Sequence, residues 1–449
     1  MWRPPNRSLR RFCAKPKAKR ERPHDHPQRL SARQRSRTGA AGFRPPHARH
    51  GGRRDPDLSR HPARYPAQTG AGRCRRGRCL YAVRPVFRLG RCNGRSLGKP
   101  GASSGAGTDQ GGHGAVQRSR DPCRLRPDRG PDVTTLVTGA GLIGSAAAKL
   151  LAARGGKVVL IDLRAPADIP PGVTFIRADI TDTGQIDQII QDHSITAILH
   201  TAALLSTAMR ADPVLGLRVN ILGTAALLEA CRRHSIHRIV LISSTTVLYS
   251  GFSTLGPDPI PEDAALHLVS QRPGSLYAVS KLTCEQLGLL YRDLHGVDAI
   301  SLRLGAVVGG DTDAPTSVPG RLFSTLVEAA RAGHPIALDD PLLIWKGNEE
   351  FVDVRDCARA AVAALDATHP QTGVYNIVHP AQWSLDAVIA AVESTHGKLS
   401  VSYDRSVSTG FAGFPHVRPA GSSTEAAQQE LGFSAAHDLQ DSLRHWWPA

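Results

Sequence analysis

Val137-Thr138-Gly139-Ala140-Gly141-Leu142-Ile143-Gly144 joins a short β-rich run to an Ala- and Leu-rich segment that stops at Gly155-Gly156. Glycines in this pattern allow a tight turn, close approach of backbone to a ligand, and close packing of helix on strand. The helix that opens here brings unpaired N–H groups and the positive end of its dipole to the turn, which suits a pyrophosphate. The motif alone is weak, but Asp162 ends the next apolar run, 18 residues after Gly144. An acidic side chain there accepts hydrogen bonds from both hydroxyls of an adenosine ribose and repels a 2′-phosphate. The sequence therefore predicts NAD rather than NADP, with Arg164 pointing the other way. Gly139, Gly141, Leu142, Ile143, Gly144 and Asp162 are the expected cofactor contacts.

Outward from this turn, apolar runs at 157–161, 173–176, 197–200, 238–242 and 298–304 alternate with helix-like segments at 186–193, 214–234 and 277–295. Strands alternating with helices imply an α/β fold with a Rossmann-type doubly wound parallel sheet. Continuous rather than alternating apolar strands agree with burial on both faces. After about Gly310 the pattern loosens, with helices expected at 321–332, 357–365 and 424–431 and short strands at 350–354 and 374–377. The expected division is a Rossmann domain at 133–310, carrying the catalytic residues, and a smaller C-terminal substrate-binding lobe at 311–449. Strands from the second part return to the core of the first.

Composition isolates residues 1–132. The first 130 residues hold 33 Lys plus Arg against 7 Asp plus Glu, a net of +26, while the rest carries −9. This extension is rich in Arg, Pro, Gly and Ser and too poor in apolar residues to offset its ordering entropy, so disorder is expected. A nucleic-acid-binding arm and an organelle-targeting extension are open readings. The favoured one is a functionless extension, such as upstream sequence translated from a misplaced start: Met occurs only at positions 1 and 209, and Val133, just before the first strand, offers a valine codon that can serve as a start. Cys74 and Cys79 give a weak zinc signal and no metal site is expected, while Cys231, Cys284 and Cys357 read as buried apolar residues. With no uninterrupted apolar run near the length of a membrane span, a soluble cytoplasmic protein is expected.

Tyr277-Ala278-Val279-Ser280-Lys281 places a phenol and an ammonium on one face of a helix. The ammonium is expected to lower the phenol's pKa and so make a general acid/base. Ser243-Ser244-Thr245 ends the fifth strand, at the sheet edge where ligands bind, and offers a hydroxyl opposite Tyr277. Asp179 and Ile180 end the third strand, where the side chain either meets an adenine edge or caps a loop. Small residues after His200, among them Ala202, let backbone lie along a cofactor; His200 reads equally as contact or packing. Tyr-x-x-x-Lys means little in isolation. Its weight comes from the order: glycine turn, Asp, strand-end hydroxyl, then Tyr and Lys.

In that order the chain resembles the extended short-chain dehydrogenases/reductases, also called the NAD-dependent epimerase/dehydratase family. The resemblance covers 133–449. It rests on Val219-Asn220-Ile221-Leu222-Gly223-Thr224, on the stretch from Ser243 to Tyr249, on 276–286, on Glu350-Phe351-Val352-Asp353-Val354-Arg355-Asp356, and on 427–433. It implies that Thr245, Tyr277 and Lys281 are the catalytic residues, that NAD is bound, and that a homodimer forms through two helices. It also implies a small-molecule substrate: a sugar, a nucleotide sugar, or a related polyol or carbonyl compound. Several positions depart from the family pattern. Thr246 and Val247 stand where dehydratases carry Asp-Glu, which argues against dehydration. Ala306 and Val308 stand where many nucleotide-sugar enzymes carry Asn and Tyr, which removes a polar contact expected near a diphosphate. Arg355 and Asp356 read as a salt-linked helix start; Trp345, Lys346 and Trp383 either line the lobe or pack. The expected activity is therefore that of an NAD-dependent epimerase or dehydrogenase, without membrane or nucleic-acid partner. The alternative is a non-catalytic dinucleotide-binding regulator with a nucleic-acid-binding tail.

Overall fold

The computed structural model describes residues 133–267, 269–272, 274–309, 316–368 and 370–448. The basic extension, with Cys74 and Cys79, and the expected domain boundary at 310–311 lie outside the described residues. In chain order the first elements are β1 (Thr134–Thr138), α1 (Leu142–Ala153), β2 (Lys157–Asp162), β3 (Val173–Arg177), α2 (Thr183–Asp192), β4 (Ala197–His200), α3 (Ser206–Ala211) and α4 (Pro213–Leu217). A π-helical turn (Arg218–Leu222), α5 (Gly223–Arg233), β5 (Arg238–Ser244), a 3-10 helix (Thr245–Gly251), α6 (Leu276–His295) and β6 (Asp298–Leu304) follow. The later elements are β7 (Ala306–Val308), α7 (Val318–Ala332), β8 (Ile336–Leu338), β9 (Glu349–Asp353), α8 (Val354–Asp366), β10 (Val374–Ile377), β11 (Gln382–Trp383), α9 (Leu385–His396), β12 (Val401–Tyr403), α10 (Glu425–Glu430) and α11 (Leu439–Trp446).

Seven strands form one sheet in the order β10-β6-β5-β4-β1-β2-β3. All neighbours in it are parallel. The chain runs outward from β1 to β3, then returns to β4 and runs the other way. This is the doubly wound topology expected, and its reversal opens a crevice beyond the C-terminal ends of β1 and β4. The glycine turn follows β1 there, and Thr201 follows β4. The strands read as unbroken apolar runs because helices cover both faces. On one face Ala147, Ala148 and Leu151 of α1 and Cys357 and Ala361 of α8 share a core with Val137, Leu199 and Val240. On the other, Ile186, Ile189 and Ile190 of α2 and Leu227 and Leu228 of α5 share one with Leu136, Ile198 and Ile239. Cys231, Cys284 and Cys357 are all buried.

A second core gathers Leu322, Phe323 and Leu326 of α7, Phe351 of β9, Val388 and Val392 of α9, and Leu443 of α11. Trp345 belongs to it, edge-on to Phe411 at 5.1 Å between ring centroids. Lys346 is exposed and Trp383 half-buried. Asp353, at the end of β9, ties this region together. It accepts from Arg355 Nε at 2.9 Å and Nη2 at 2.7 Å, from Ser442 Oγ at 2.6 Å and from Trp446 Nε1 at 3.1 Å. Asp356 pairs with Arg359 and accepts the N–H groups of Ala436 and His437. Arg355 and Asp356 are thus each salt-linked at a helix start, but to other partners than one another. Pro213–Arg233 is long and apolar enough by composition to cross a membrane. In this fold it is broken by the π-helical turn and buries Thr224, Leu227, Leu228 and Cys231.

Candidate active site

The glycine turn is held from two sides. Gly139 takes φ +89°, and a Cβ there would lie 2.7 Å from the Ala202 nitrogen. A Cβ on Gly144 would lie 1.9 Å from the Gly139 carbonyl oxygen. Gly141 differs: a Cβ there meets nothing within 4 Å. Gly141 is also exposed, at the N-terminus of α1 with its side-chain position facing open space. Two glycines are therefore required by packing, and the third keeps a concave backbone surface clear. That surface fits a diphosphate, with the N–H groups opening α1 at Leu142 and Ile143 beside it. Asp162 Oδ2 accepts the Ala140 N–H at 2.8 Å, and Oδ1 accepts the Arg164 N–H at 3.1 Å. Each carboxylate oxygen keeps lone-pair capacity for a ribose hydroxyl. Asp179 Oδ1 accepts from Thr181 N at 2.8 Å and Oγ1 at 2.9 Å, so those contacts are turn-capping ones. Ile180 is buried at 6% exposure, under Gly223, where a Cβ would lie 2.8 Å from Ile180 Cδ1.

His200 is a packing residue in a hydrogen-bond chain. Its Nδ1 meets Thr138 Oγ1 at 2.7 Å and its Nε2 meets Thr224 Oγ1 at 3.0 Å. Thr224 donates its own proton to the Asn220 carbonyl at 2.6 Å, so His200 carries its proton on Nε2 and accepts at Nδ1. Burial, then the charge of Lys281, push its pKa down to about 3. It stays neutral in the folded state. Asn220 sits in the π-helical turn and bonds the Leu204 backbone at both amide atoms, 2.8 and 3.0 Å, and Ser280 Oγ at 3.1 Å. A π-helical turn marks many functional sites. The sequence offered Asn220 only as part of a family-like segment, without a role.

Ser275 caps α6 by accepting the Ala278 N–H, which starts the helix at Leu276 and sets Tyr277 at its mouth. Tyr277 is half-buried. Ser244, the last residue of β5, accepts the Thr246 N–H on Oγ at 3.2 Å and so caps the turn that follows. Thr245, the hydroxyl selected from the sequence, begins the 3-10 helix and is 1% exposed.

Lys281 Nζ lies 5.6 Å from the centre of the Tyr277 ring and donates to the Ile242 carbonyl at 2.6 Å. Burial pushes the phenol up to about 12. Burial pushes the Lys281 ammonium down, opposed by Cys284 and Glu285.

Known proteins resemble this chain in sequence and in fold. The family model described as the NAD dependent epimerase/dehydratase family matches residues 135–378. The chain is 29% identical over 239 residues to the mitochondrial L-threonine 3-dehydrogenase of Bos taurus, covering 52% of this chain and 60% of that one. It is 30% identical over 249 residues to D-erythronate dehydrogenase of Cupriavidus necator, covering 52% and 71%. The crystal structure of the Thermus thermophilus UDP-glucose 4-epimerase in complex with NAD superposes with a TM-score of 0.55 at 28% identity, covering 70% of this chain and 97% of that one. This protein is a member of the NAD dependent epimerase/dehydratase family.

Proposed function

We propose that this protein binds NAD across the glycine turn and oxidises or epimerises a secondary alcohol in the crevice beside Tyr277. The observation that carries the proposal is the Tyr277–Lys281 pair at the C-terminal edge of the sheet, where Lys281 Nζ lies 5.6 Å from the centre of the phenol ring and donates to the Ile242 carbonyl at 2.6 Å. Gly139, Gly141, Leu142, Ile143 and Gly144 would hold the diphosphate, and Asp162 the adenosine ribose. Asp179, Ile180 and Ala202 would border the adenine and the length of the cofactor. NAD supplies the hydride acceptor when bound. The Thr245 hydroxyl orients the substrate oxygen, and the Tyr277 oxygen takes the proton from the substrate's hydroxyl group as its carbon is oxidised. The nearby ammonium of Lys281 stabilises the phenolate and holds the nicotinamide ribose. Thr246 and Val247 supply no carboxylate for removing water, so dehydration is not part of the reading. A non-catalytic regulator would need neither the phenol nor the strand-end hydroxyl.

Two observations favour an unphosphorylated alcohol over a nucleotide sugar. Ala306 cannot hydrogen-bond a diphosphate. It lies in register with Phe351 on β9, the strand that opens with Glu349 and Glu350. Both carboxylates are taken by one buried guanidinium: Arg418 Nη2 lies 2.9 Å from Glu349 and Nη1 3.0 Å from Glu350. Arg418 is 5% exposed and its charge is already paired with these two carboxylates. L-threonine, D-erythronate and UDP-glucose form the test panel, with NAD or NADP and absorbance at the NADH maximum as readout. NAD reduction with a small hydroxy compound, and none with NADP, is expected. UDP-glucose turnover would overturn the substrate preference, and faster reduction of NADP would overturn the role of Asp162.

The assembly we infer is a homodimer. Leu222 is 62% exposed, and Leu290 and Leu294 of α6 are 52% and 70% exposed. Apolar side chains so exposed on adjacent helices fit a self-complementary face. Leu222→Arg with Leu294→Arg is expected to halve the mass measured by light scattering. An unchanged mass would place the interface elsewhere.

A further inference from the structure

The 3-10 helix that opens with Thr245 runs seven residues, to Gly251. Such helices commonly stop after about three or four, because their hydrogen bonds are poorly aligned. A run of seven is therefore held by what it packs on. Its hydroxyls differ in this respect. Those of Thr246 and Ser250 are buried without a hydrogen-bond partner. That of Tyr249 donates to Glu349 Oε2 at 2.8 Å. Glu349 opens β9, the strand that carries Phe351 into the second core. Its other oxygen accepts the Glu350 N–H at 2.9 Å and Arg418 Nε at 3.0 Å. Arg418 lies over the rings of Tyr249 and Phe252, at 5.4 and 4.8 Å from their centres. Phe414 meets the Tyr249 ring edge-on at 4.5 Å. The ring is thus packed from several sides, and its oxygen is bonded to a carboxylate that is itself fixed by backbone and guanidinium.

We infer that the Tyr249–Glu349 hydrogen bond fixes the 3-10 helix and so sets the place of Thr245, which makes Tyr249 and Glu349 positioning residues. That role in the reaction rests on the one proposed for Thr245, but the placement itself is measured without it. Ring contacts are non-directional and leave a helix free to slide or turn. A hydrogen bond to a fixed acceptor removes that freedom, since it weakens steeply with distance and angle. Thr245 and Tyr249 are four residues apart, about 8 Å along a 3-10 helix. They share one short element, so a shift at Tyr249 passes to Thr245. Tyr249 and Glu349 are both buried and spend their polar atoms on one another, on Arg418 and on backbone, so they act through the helix.

Tyr249→Phe deletes the oxygen and keeps the ring. The full chain is assayed with L-threonine, D-erythronate and UDP-glucose, NAD affinity is measured by fluorescence, and the variant is crystallised. NAD affinity should stay within about twofold of the parent, and turnover should fall about tenfold with little change in KM, because misplacement of about an ångström is enough for such a loss. The crystal structure should show Thr245 displaced from α6 by about that distance. A double-mutant cycle with Thr245→Ala separates positioning from general weakening. Once the Thr245 hydroxyl is gone, Tyr249→Phe should cost less than about twofold, whereas losses that multiply would overturn the inference. Glu349→Gln offers an amide N–H to the tyrosine oxygen and should keep the rate within about threefold; a loss as large as that of Tyr249→Phe would also overturn it. Tyr249→Phe with Glu349→Met removes both partners, leaves Arg418 paired with Glu350 and orphans no acceptor. It should show the tenfold loss even if the single variant folds poorly. Thr245 unmoved in the crystal structure of either variant would refute the positioning role. If none of the three alcohols reacts with the parent, the crystal structure decides alone, and the substrate assignment has failed without touching the Tyr249–Glu349 bond.

Discussion

Tyr277→Phe is expected to lower turnover at least about 100-fold, equivalent to about 2.7 kcal/mol of transition-state stabilisation, while leaving NAD affinity unchanged. The ring keeps its place at the mouth of α6, so only the oxygen is lost. The pH dependence gives a second signature. Burial raises the phenol to about 12. Alcohol oxidation needs the deprotonated oxygen, so the parent rate should climb as pH rises toward that value, and the Phe variant should lack the climb. Thr245→Ala removes the hydroxyl proposed to hold the substrate oxygen and should lower turnover about tenfold while keeping the climb with pH. A parent-like rate for Tyr277→Phe would end the acid/base assignment. Parent-like turnover for Thr245→Ala would end the role of its hydroxyl.

The parallel sheet was legible because its strands are buried on both faces, and double burial writes an unbroken apolar run into sequence. β10 was found for the same reason: Val374-Tyr375-Asn376-Ile377 is buried throughout. The second core was harder to read. β8 and β12 are three residues each and pair only with one another, so their conformation comes from the packing around them. α9 and α11 went unassigned, although Ser384 and Asp438 each cap a helix by accepting the N–H three residues on. Those cap residues were the available signal. The candidate site shows a finer limit. Order along the chain located a strand-end hydroxyl within Ser243-Ser244-Thr245, and the three have different surroundings: Ser243 donates to Glu285, Ser244 accepts the Thr246 N–H, and Thr245 opens the 3-10 helix. His200 was open between contact and packing; both its ring nitrogens are taken, by Thr138 and Thr224. The i,i+4 spacing brings Lys281 near Tyr277 without fixing where its charged end points, and Nζ is aimed at the Ile242 carbonyl.

The glycine turn offers the other large effect, and a contrast within it separates folding from binding. Gly144→Ala should lower the melting temperature by at least about 5 °C and NAD affinity at least about tenfold, since overpacking at a rigid contact costs about 1–3 kcal/mol or more. The new methyl would stand 1.9 Å from the Gly139 carbonyl oxygen and 2.6 Å from Thr201 Oγ1. Neither atom is free to move. The Thr201 hydroxyl is itself bonded to the Thr138 and Gly139 carbonyls at 2.7 and 3.0 Å, and Gly139 is pressed on Ala202. Relief would require α1 to back away from β1, which pulls its N–H groups from the diphosphate. Gly141→Ala is the counterpart. Its φ of −77° and ψ of −169° suit any residue, and its methyl meets no protein atom within 4 Å. The variant should melt with the parent yet bind NAD more weakly, because the methyl fills the space the diphosphate needs. Differential scanning fluorimetry with and without NAD measures both quantities at once. If Gly141→Ala bound NAD as the parent does, the diphosphate would have to lie away from this turn, and the placement of Tyr277 beside the nicotinamide would fall with it.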